Sequence, residues 1–314
     1  MYRIYISMKK YKYYIAAFSA FFLWGFFSLA LKPIAHYPSL DILFYRVFFS
    51  VFALTSINLA FRRKNLAKNW DDFKIMPKKN RQKITFLTLA GSLILASNWL
   101  IFIYVINHVN VKAGSLAYLI CPILTTLFAF FLLHEKLSKW KWIAVCISTI
   151  SCVLLSLNHF RDIFYSLAVA STYALYLVSQ RKNNEIDKLL VLNIQLLFIA
   201  LLILPFYPSY SGAIPADPIF YSCLCCIVVF FTIIPLFLNL YALKGLDSST
   251  VGILMYINPI INFSLAIFYF KEPVSLLQMV SYSLILISII IFNKKIIFGK
   301  KNKSKAIAKD LKSN

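Results

Sequence analysis

Ten long apolar stretches separated by short polar connections dominate the pattern of hydrophobic and polar residues along the chain. A helix needs about 20 mainly apolar residues to cross a hydrocarbon core about 30 Å thick. The stretches predict spans over residues 13–31, 42–60, 85–106, 113–133, 140–157, 163–180, 189–207, 218–240, 248–270 and 274–292. The pattern therefore predicts an all-α membrane protein with ten transmembrane helices.

The basic residues predict how these helices are oriented. If the N-terminus is cytoplasmic, 28 of the 33 lysines and arginines fall on the cytoplasmic side of the membrane, as the positive-inside rule requires. The first stretch lacks a small-x-small cleavage site, which favours an uncleaved span over a signal peptide. We expect a multi-pass protein of a bacterial inner membrane with both termini in the cytoplasm.

An internal repeat links the two halves of the chain. A shift of 137 residues places residues 98–138 over 235–275 without a gap, and eight positions are identical. Both copies contain a proline inside an apolar run and then a glutamate at its end, Pro122 with Glu135 and Pro259 with Glu272. Because each half holds five spans, an odd number, the halves must lie in the membrane with opposite orientations. Inverted repeats are the architecture of many secondary transporters.

The repeat also predicts the domain organisation. Residues 1–157 form the first five-helix repeat and include a cytoplasmic loop over 61–83. Residues 158–293 form the second repeat, and residues 294–314 form a basic cytoplasmic tail.

Composition supports the membrane class and excludes others. The chain is 61% hydrophobic and only 14% charged, against roughly 25% charged in soluble domains. The net charge of +22 invites a nucleic-acid partner, but the basic residues flank apolar runs, as expected next to anionic headgroups. The six cysteines lack zinc or redox spacing, and no phosphate-binding loop occurs. We expect no cofactor and no metal.

Arg46 is the clearest candidate for function, because an ionisable residue inside a span is costly and marks a functional site by default. It lies five residues into the second predicted span. Two structural alternatives stay open: the side chain could reach the outer headgroups, or it could pair with Asp41. The functional interpretation is a cation that lines the pathway and binds an anionic group or holds a gate.

Other polar or helix-bending residues inside the spans are candidates for the same pathway. Asn98, Asn239, Asn258 and Asn262 carry amides that hydrocarbon cannot satisfy, and hydrogen bonding between helices is the alternative explanation for them. Pro122, Pro235 and Pro259 each remove a backbone hydrogen bond and predict kinks or gates. Trp24, Trp99, Tyr118, Tyr173 and Tyr256 lie deep in the spans, where they either pack or line a cavity for a partly apolar solute.

A set of short matches spread along the chain resembles a known family. The matching segments are residues 22–25, 41–43 with Arg46, 97–100, Asn107, 115–118, Pro122, Glu135, Trp142, Thr232, Pro235, Gly252, Tyr256, Pro259 and 272–273. With these residues the chain resembles the EamA family of the drug/metabolite transporter superfamily, and most closely its RarD-like subgroup.

The resemblance implies a fold and an activity. It implies two inverted five-helix repeats, a central cavity and a carrier that exports or exchanges metabolites. Carried over to this sequence, the cavity residues are Arg46, Asn98, Trp99, Tyr118 and Tyr256. The chain departs from the subgroup at Asp41, Tyr45 and Ala113, where Glu, His and Glu are common. Because no carboxylate lies mid-span, the energy source stays open.

The predicted function is a secondary transporter, a permease that moves a small metabolite or drug-like solute by alternating access. The predicted consequence is that Arg46→Ala and Asn98→Ala abolish transport without changing membrane abundance. An enzyme is disfavoured because it would need His, Asp or Glu side chains that converge within the spans, and the sequence places none there. A non-transporting assembly or receptor protein is the alternative. Expected partners are a small-molecule solute and membrane lipids, without nucleic acid; a homodimer is left open.

Overall fold

The computed structural model describes residues 2–109, 111–156, 160–269, 271 and 275–294. Within these residues the regular structure is helical, without β-strands, and the predicted all-α class is confirmed. Glu272, Pro273 and the basic tail beyond residue 294 lie outside the described residues, as do the side chains of Asn107 and Ala113. The α-helices are, in order, α1 (Tyr2–Gly25), α2 (Phe27–Leu31), α3 (Ser39–Phe61), α4 (Arg63–Ile75), α5 (Lys78–His108), α6 (Val111–Leu133), α7 (Lys139–Ser156), α8 (Phe160–Lys182), α9 (Lys188–Ile203), α10 (Tyr207–Tyr210), α11 (Pro218–Val228), α12 (Ile234–Gly245), α13 (Ser248–Leu254), α14 (Ile257–Phe268) and α15 (Leu276–Phe292).

Seven helical segments of the described chain are long and apolar enough to cross a membrane. They are Tyr11–Ile34, Ser39–Phe61, Lys78–Val105, Leu116–Leu133, Ile163–Lys182, Lys188–Tyr210 and Pro218–Gly245. The fifth, ninth and tenth predicted spans coincide with shorter or more polar helices: α7, the pair α13 and α14, and α15. The chain is thus a multi-pass membrane protein, while ten spans in two inverted repeats stay a prediction.

Polar residues define where several helices begin. The carboxylate of Asp187 accepts hydrogen bonds from the backbone amides of Leu189 and Leu190 and so caps α9. Asp217 caps α11 in the same way, and Ser275 begins α15 with a capping box. Such caps satisfy amides that have no partner inside the helix. These three helices therefore begin directly after a short polar side chain.

The connection predicted as a loop over 61–83 is largely helical. Its first part forms α4, and α5 begins at Lys78, directly after Pro77 and seven residues before the predicted span. Proline is compatible with a helix start because the first amides need no intrahelical acceptor. Hydropathy alone located the apolar part of α5 and missed its polar first two turns.

The outer surface of the bundle is apolar and its interior carries many small polar groups. Phe52, Phe86 and Phe164 are among the exposed large side chains. Inside, the hydroxyl of Ser148 on α7 donates to that of Ser288 on α15 at 2.9 Å, and both side chains are fully buried. An apolar exterior with hydrogen-bonded small residues between helices is the pattern of helix packing in lipid.

One end of the bundle, here called the basic end, is closed by contacts between helix termini. Arg62, at the end of α3, forms a two-pronged ion pair with Asp187, at the start of α9, with N–O distances of 3.0 and 3.1 Å. Arg181, at the end of α8, donates to the carbonyl of Leu243, near the end of α12, at 2.9 Å. The helices α3, α8 and α12 end at the basic end, and α9 begins there.

The opposite end, here called the aromatic end, joins the start of α3 to the segment around α10. The hydroxyls of Tyr45 and Tyr207 are 3.1 Å apart, and the ring of Tyr37 lies 4.7 Å from that of Phe220. The amide of Gly212 donates to both carboxylate oxygens of Asp41 at 3.0 and 3.2 Å. A side chain at position 212 would collide with this carboxylate.

The same unusual backbone conformation occurs at two positions that the internal repeat relates to each other. Among the described residues, His134 and Lys271 are the non-glycine residues with positive φ, 53° and 55°. They lie 137 residues apart, the shift that aligns the two halves of the sequence. Because few non-glycine residues adopt this conformation, its occurrence at both positions supports the alignment of the repeat.

Candidate functional site

Arg46 of α3 lies toward the middle of the bundle rather than at a helix end. Its Nε donates to the hydroxyl of Thr232 at 2.7 Å, and its Nη2 donates to the carbonyl of Phe231 at 3.4 Å. Both acceptors lie halfway along the candidate span Pro218–Gly245. The guanidinium therefore contacts the middle of this candidate span from a position seven residues after the start of α3.

The carbonyl of Phe231 is available because of Pro235. In a regular helix this oxygen would accept from the amide four residues later, and proline has none. The chain adopts a π-helical turn over Val229–Ile233 between α11 and α12, and such turns occur frequently at functional sites. The indole of Trp24 donates to the same carbonyl at 2.8 Å. The oxygen freed by Pro235 thus anchors two side chains of the first half.

Thr232 is held in place for its contact with Arg46. Its hydroxyl donates to the carbonyl of Ile227 at 3.0 Å, so its oxygen is left to accept from the guanidinium. Neither Thr232 nor the carbonyl of Phe231 carries a charge. Among the described residues, no carboxylate forms an ion pair with Arg46. Asp41, expected as an alternative partner, binds Gly212 instead.

Aromatic rings surround the guanidinium. Its Cζ lies 5.0 Å from the ring centre of Trp99 and 5.7 Å from that of Phe27, distances at which cation–π attraction operates. Arg46 and these two rings are partly exposed, so protein does not enclose them completely. This Arg46 site has one cation, two neutral acceptors and aromatic walls.

Tyr118 and Tyr173 extend the aromatic wall. Tyr118 on α6 is partly exposed and contacts Phe102, with ring centres 5.5 Å apart. Tyr173 on α8 is nearly buried, contacts Trp24 edge-on at 6.4 Å, and accepts a hydrogen bond from Asn239 at 3.0 Å. Tyr118 is thus partly exposed, whereas Tyr173 is enclosed and packs against Trp24.

Asn98, predicted to line the pathway, is buried between α5 and α8. Its amide nitrogen donates to the carbonyl of Val169 at 2.8 Å and to the hydroxyl of Thr172 at 3.0 Å. Trp99, the next residue, reaches the Arg46 site. Asn98 thus connects α5 to α8, and Trp99, the next residue on α5, contacts Arg46.

Asn258 and Asn262 form a polar seam on α14. The amide of Asn262 donates to the side-chain oxygen of Asn258 at 2.7 Å, and its own oxygen accepts from Ser28 at 3.4 Å. Gly25 packs so closely on Ile261 that a Cβ would lie 2.6 Å from that side chain. The seam therefore lies on the side of α14 that approaches α1 and α2.

The two repeat-related prolines have different backbones. Pro259 follows a break between α13 and α14, where the carbonyl of Met255 accepts from the amide of Asn258 at 3.1 Å. Tyr256, at this break, is fully buried. Pro122 lies inside the continuous helix α6. The same residue type thus interrupts one span and leaves the other helical.

Glu135 connects the two halves at the basic end. Its carboxylate accepts from the amides of Ser248 and Ser249 at 2.7 and 3.1 Å and from the hydroxyl of Ser249 at 2.7 Å. Lys141 donates to the same hydroxyl at 3.2 Å. These contacts, here called the Glu135 latch, join the end of α6 to the start of α13.

Within the described chain, no cluster of three or more His, Cys, Asp or Glu that could hold a metal ion occurs.

Comparisons with known proteins give a consistent result. A profile of the EamA-like transporter family matches residues 11–157 and 161–294. An uncharacterized transporter of Bacillus subtilis, YojE, is 28% identical over 276 residues, 87% of this chain and 90% of the relative. Protein RarD of Escherichia coli is 27% identical over 295 residues, 93% of this chain and 97% of the relative.

Two further comparisons agree with these. An uncharacterized transporter of Vibrio cholerae is 28% identical and covers 89% of this chain and 91% of its own length. A solved crystal structure with 17% sequence identity superposes with a TM-score of 0.67 over 88% of this chain and 94% of that one. At this level of identity the superposition shows a shared fold.

Proposed function

The chain belongs to the EamA-like transporter family, and from this premise we propose that it is a secondary transporter that moves a small metabolite or drug-like solute across the bacterial inner membrane by alternating access. The observation that carries the proposal is Arg46. It is a partly exposed cation inside a candidate membrane span, held by neutral groups of the second half. A charge so placed is costly, and by default it marks a functional site such as a solute or ion pathway.

The contacts of α13 and α14 support alternating access. Gly252 on α13 packs against Thr125 of α6, where a Cβ would lie 2.8 Å from that side chain. Beyond the break at Tyr256, α14 packs instead on α1 through Gly25. The ninth predicted span thus contacts α6 near the basic end and leans on α1 further along. Movement about the break would loosen the contact between α13 and α6 and open the bundle at the basic end.

Positive-inside orientation makes the basic end cytoplasmic, and the latch and the Arg62–Asp187 ion pair close that end. Delivery to the cytoplasm, or collection from it, requires the Glu135 latch to open. The relatives named as transporters support transport and leave the solute unspecified.

The test begins with metabolite profiles of cells with and without the gene, inside and outside the cell. The solute that differs most is then supplied to proteoliposomes that contain the purified full chain. We expect uptake or exchange that Arg46→Ala abolishes while membrane abundance is unchanged. Arg63→Ala is the matched control, since Arg63 is exposed and its guanidinium donates, within the described part of the chain, to the carbonyl of Leu59 near the end of α3.

Two results would contradict the proposal. If no solute accumulates in proteoliposomes despite a metabolite difference in cells, the non-transporting assembly or receptor protein becomes the better explanation. If flux persists unchanged in Arg46→Ala, the transporter would stand, and the Arg46 site would be removed from its pathway.

A further inference from the structure

We propose that the Arg46 site selects small organic monoanions with a flat apolar body, in the first place aromatic carboxylates, over neutral, cationic and zwitterionic molecules with the same ring. The inference rests on the proposed function, because it names the solute class of that same site. It is carried by the juxtaposition of one uncompensated guanidinium with the rings of Trp99 and Phe27.

The first step is the charge. The guanidinium bonds a hydroxyl and a backbone carbonyl, both neutral. Within the described residues it has no carboxylate partner. A cation that is paired only with neutral groups inside a candidate membrane span attracts an anion and repels a second cation. Since only one such cation is present in the described site, one negative charge completes the pairing.

The second step is the number of free donors. A guanidinium has five N–H donors in a planar fork. Two of its nitrogens, Nε and Nη2, each donate to a described acceptor, while Nη1 has no hydrogen bond to the described residues. Several donors therefore remain for an incoming group. A carboxylate matches this geometry because its two oxygens accept parallel N–H bonds from the fork.

The third step is the wall of the site. Trp99 and Phe27 approach the guanidinium to 5.0 and 5.7 Å, so a carboxylate on Arg46 brings its carbon skeleton next to these rings. Trp24 presents only apolar surface, because its single N–H is already bound to Phe231. Aromatic side chains stack favourably with a flat ring. The site thus offers one charged contact and an apolar aromatic surface.

The fourth step concerns zwitterions. An amino acid with the same ring would also place an ammonium in the site. None of the eleven acidic residues lies in the middle of a predicted span. Asp41, at the start of α3, is nearly fully buried and is bound by Gly212. The ammonium would therefore exchange water for groups that cannot neutralise it, and the zwitterion should bind more weakly than the plain carboxylate.

The experiment measures equilibrium binding to the purified full chain in detergent, by calorimetry and by the shift of the unfolding temperature. The probes share a phenylpropyl body: 3-phenylpropionate, 3-phenylpropanol, 3-phenylpropylamine and phenylalanine; hexanoate tests the ring. We expect 3-phenylpropionate to bind about tenfold or more tightly than the alcohol, the amine and phenylalanine, as a hydrogen-bonded charge typically provides. Hexanoate should bind several-fold more weakly than 3-phenylpropionate.

Matched variants identify the group responsible. Arg46→Gln should abolish the preference for the acid over the alcohol, while Arg46→Lys should keep the sign of the preference and reduce it, because lysine retains the charge without the fork. Trp99→Leu should remove the advantage of 3-phenylpropionate over hexanoate. Arg63→Gln and Trp70→Leu are the controls, since both residues are exposed on α4, and neither should change the order.

The inference is overturned if the amine or the alcohol binds as tightly as the acid, if no probe binds at millimolar concentration, or if Arg46→Gln leaves the preference unchanged. Its failure is distinguishable from failure of the proposed function. Acid selectivity without flux in proteoliposomes would refute transport alone. Flux of a cationic or neutral solute would refute the anion site alone.

Discussion

At the scale of single residues, Thr232 holds the guanidinium of Arg46 through one hydrogen bond of 2.7 Å. Thr232→Val preserves the shape and removes the acceptor, so Arg46 loses its Nε partner. Hydrogen bonds to charged groups contribute about 1.5–3 kcal/mol, which corresponds to a loss of tenfold or more in solute flux. Thr232→Ser should keep most of the activity. Initial rates in proteoliposomes measure both.

Thr126 offers a matched control for this substitution. Its hydroxyl is buried like that of Thr232 but, among the residues that the structure describes, donates to the carbonyl of Pro122 in its own helix. Thr126→Val should therefore transport at nearly the wild-type rate. Equal rates for Thr232→Val and Thr126→Val would show that the contact with Arg46 has no part in transport.

The Arg62–Asp187 ion pair at the basic end predicts a pH dependence of stability. Burial raises the pKa of Asp187, but the Arg62 guanidinium and the amides of Leu189 and Leu190 outweigh it, so the pKa lies below the ordinary 3.8. The stabilisation is therefore complete above pH 3.8 and is lost as pH falls through the folded-state pKa. The unfolding temperature of the wild type should exceed that of Asp187→Asn above pH 3.8, and the difference should shrink as the pH falls further below 3.8.

Arg62→Gln separates the two causes of this effect. Without the guanidinium, the pKa of Asp187 rises toward its ordinary value, and the loss of stability should begin at a higher pH than in the wild type. The difference is expected to be modest, since partly exposed ion pairs contribute about 0–1 kcal/mol. A parallel pH profile for the wild type and Asp187→Asn would contradict the assignment.

At the residue scale, the sequence singles out candidates where a charge or an amide stands in an apolar run, and their part in transport stays a prediction. Arg46 and Asn98 were both identified for that reason, although only the structure shows that Asn98 binds α8. Phe27 and the carbonyl of Phe231 were missed, because a phenylalanine and a backbone oxygen look the same everywhere in an apolar span. Pro235 was the available signal, since it frees the oxygen four residues earlier.

At the scale of elements, Pro235 and the π-turn Val229–Ile233 shape the eighth predicted span. Pro235→Ala restores an amide that competes with Trp24 and Arg46 for the carbonyl of Phe231. We expect flux to fall several-fold while the unfolding temperature stays equal or rises, because the helix gains a hydrogen bond. Pro218→Ala, at the first position of α11 where proline removes no helical bond, is the control with wild-type flux.

The Glu135 latch is the corresponding element contact at the basic end. Glu135→Gln removes the charge that strengthens its hydrogen bonds to Ser248 and Ser249, so α6 and α13 should separate more often. A Thr250→Cys probe in a cysteine-free background, buried in this state, should react with maleimide several-fold faster. Glu185→Gln changes another acid at the same end, paired with Lys83 at 3.6 Å, and should leave the reaction rate unchanged.

Hydropathy located the seven described helical segments that are long and apolar enough to cross a membrane, because burial in lipid demands long apolar runs. It did not predict α4, which is polar, or the break between α13 and α14. Both depend on local hydrogen bonding and helix packing rather than on mean hydropathy. The proline in each repeat predicted a kink, and the structure places Pro122 inside a continuous helix and Pro259 beside a break.

At the scale of the whole molecule, family membership and the membrane class could be predicted, since both depend on residue types spread over the entire chain. The pairing of halves around Arg46 could not. It needs Thr232 and Phe231 of the second half to reach a side chain of the first, almost 190 residues away in sequence. No periodicity in the sequence encodes such a contact.

The inverted arrangement of the two halves has one decisive consequence for labelling. If each half holds five spans, the residues next to Glu135 and Glu272 must lie on opposite sides of the membrane. Lys136→Cys and Lys271→Cys, both at exposed positions, place one thiol beside each glutamate in a cysteine-free background. An impermeant maleimide applied to intact spheroplasts should label Lys271→Cys at once and Lys136→Cys only after lysis.

Because Lys136 belongs to a connection with three basic residues and Lys271 to one with a single lysine, positive-inside orientation also fixes which thiol reacts first. Labelling of both thiols from the same side would require an even number of spans in each half, and the inverted repeat would be wrong.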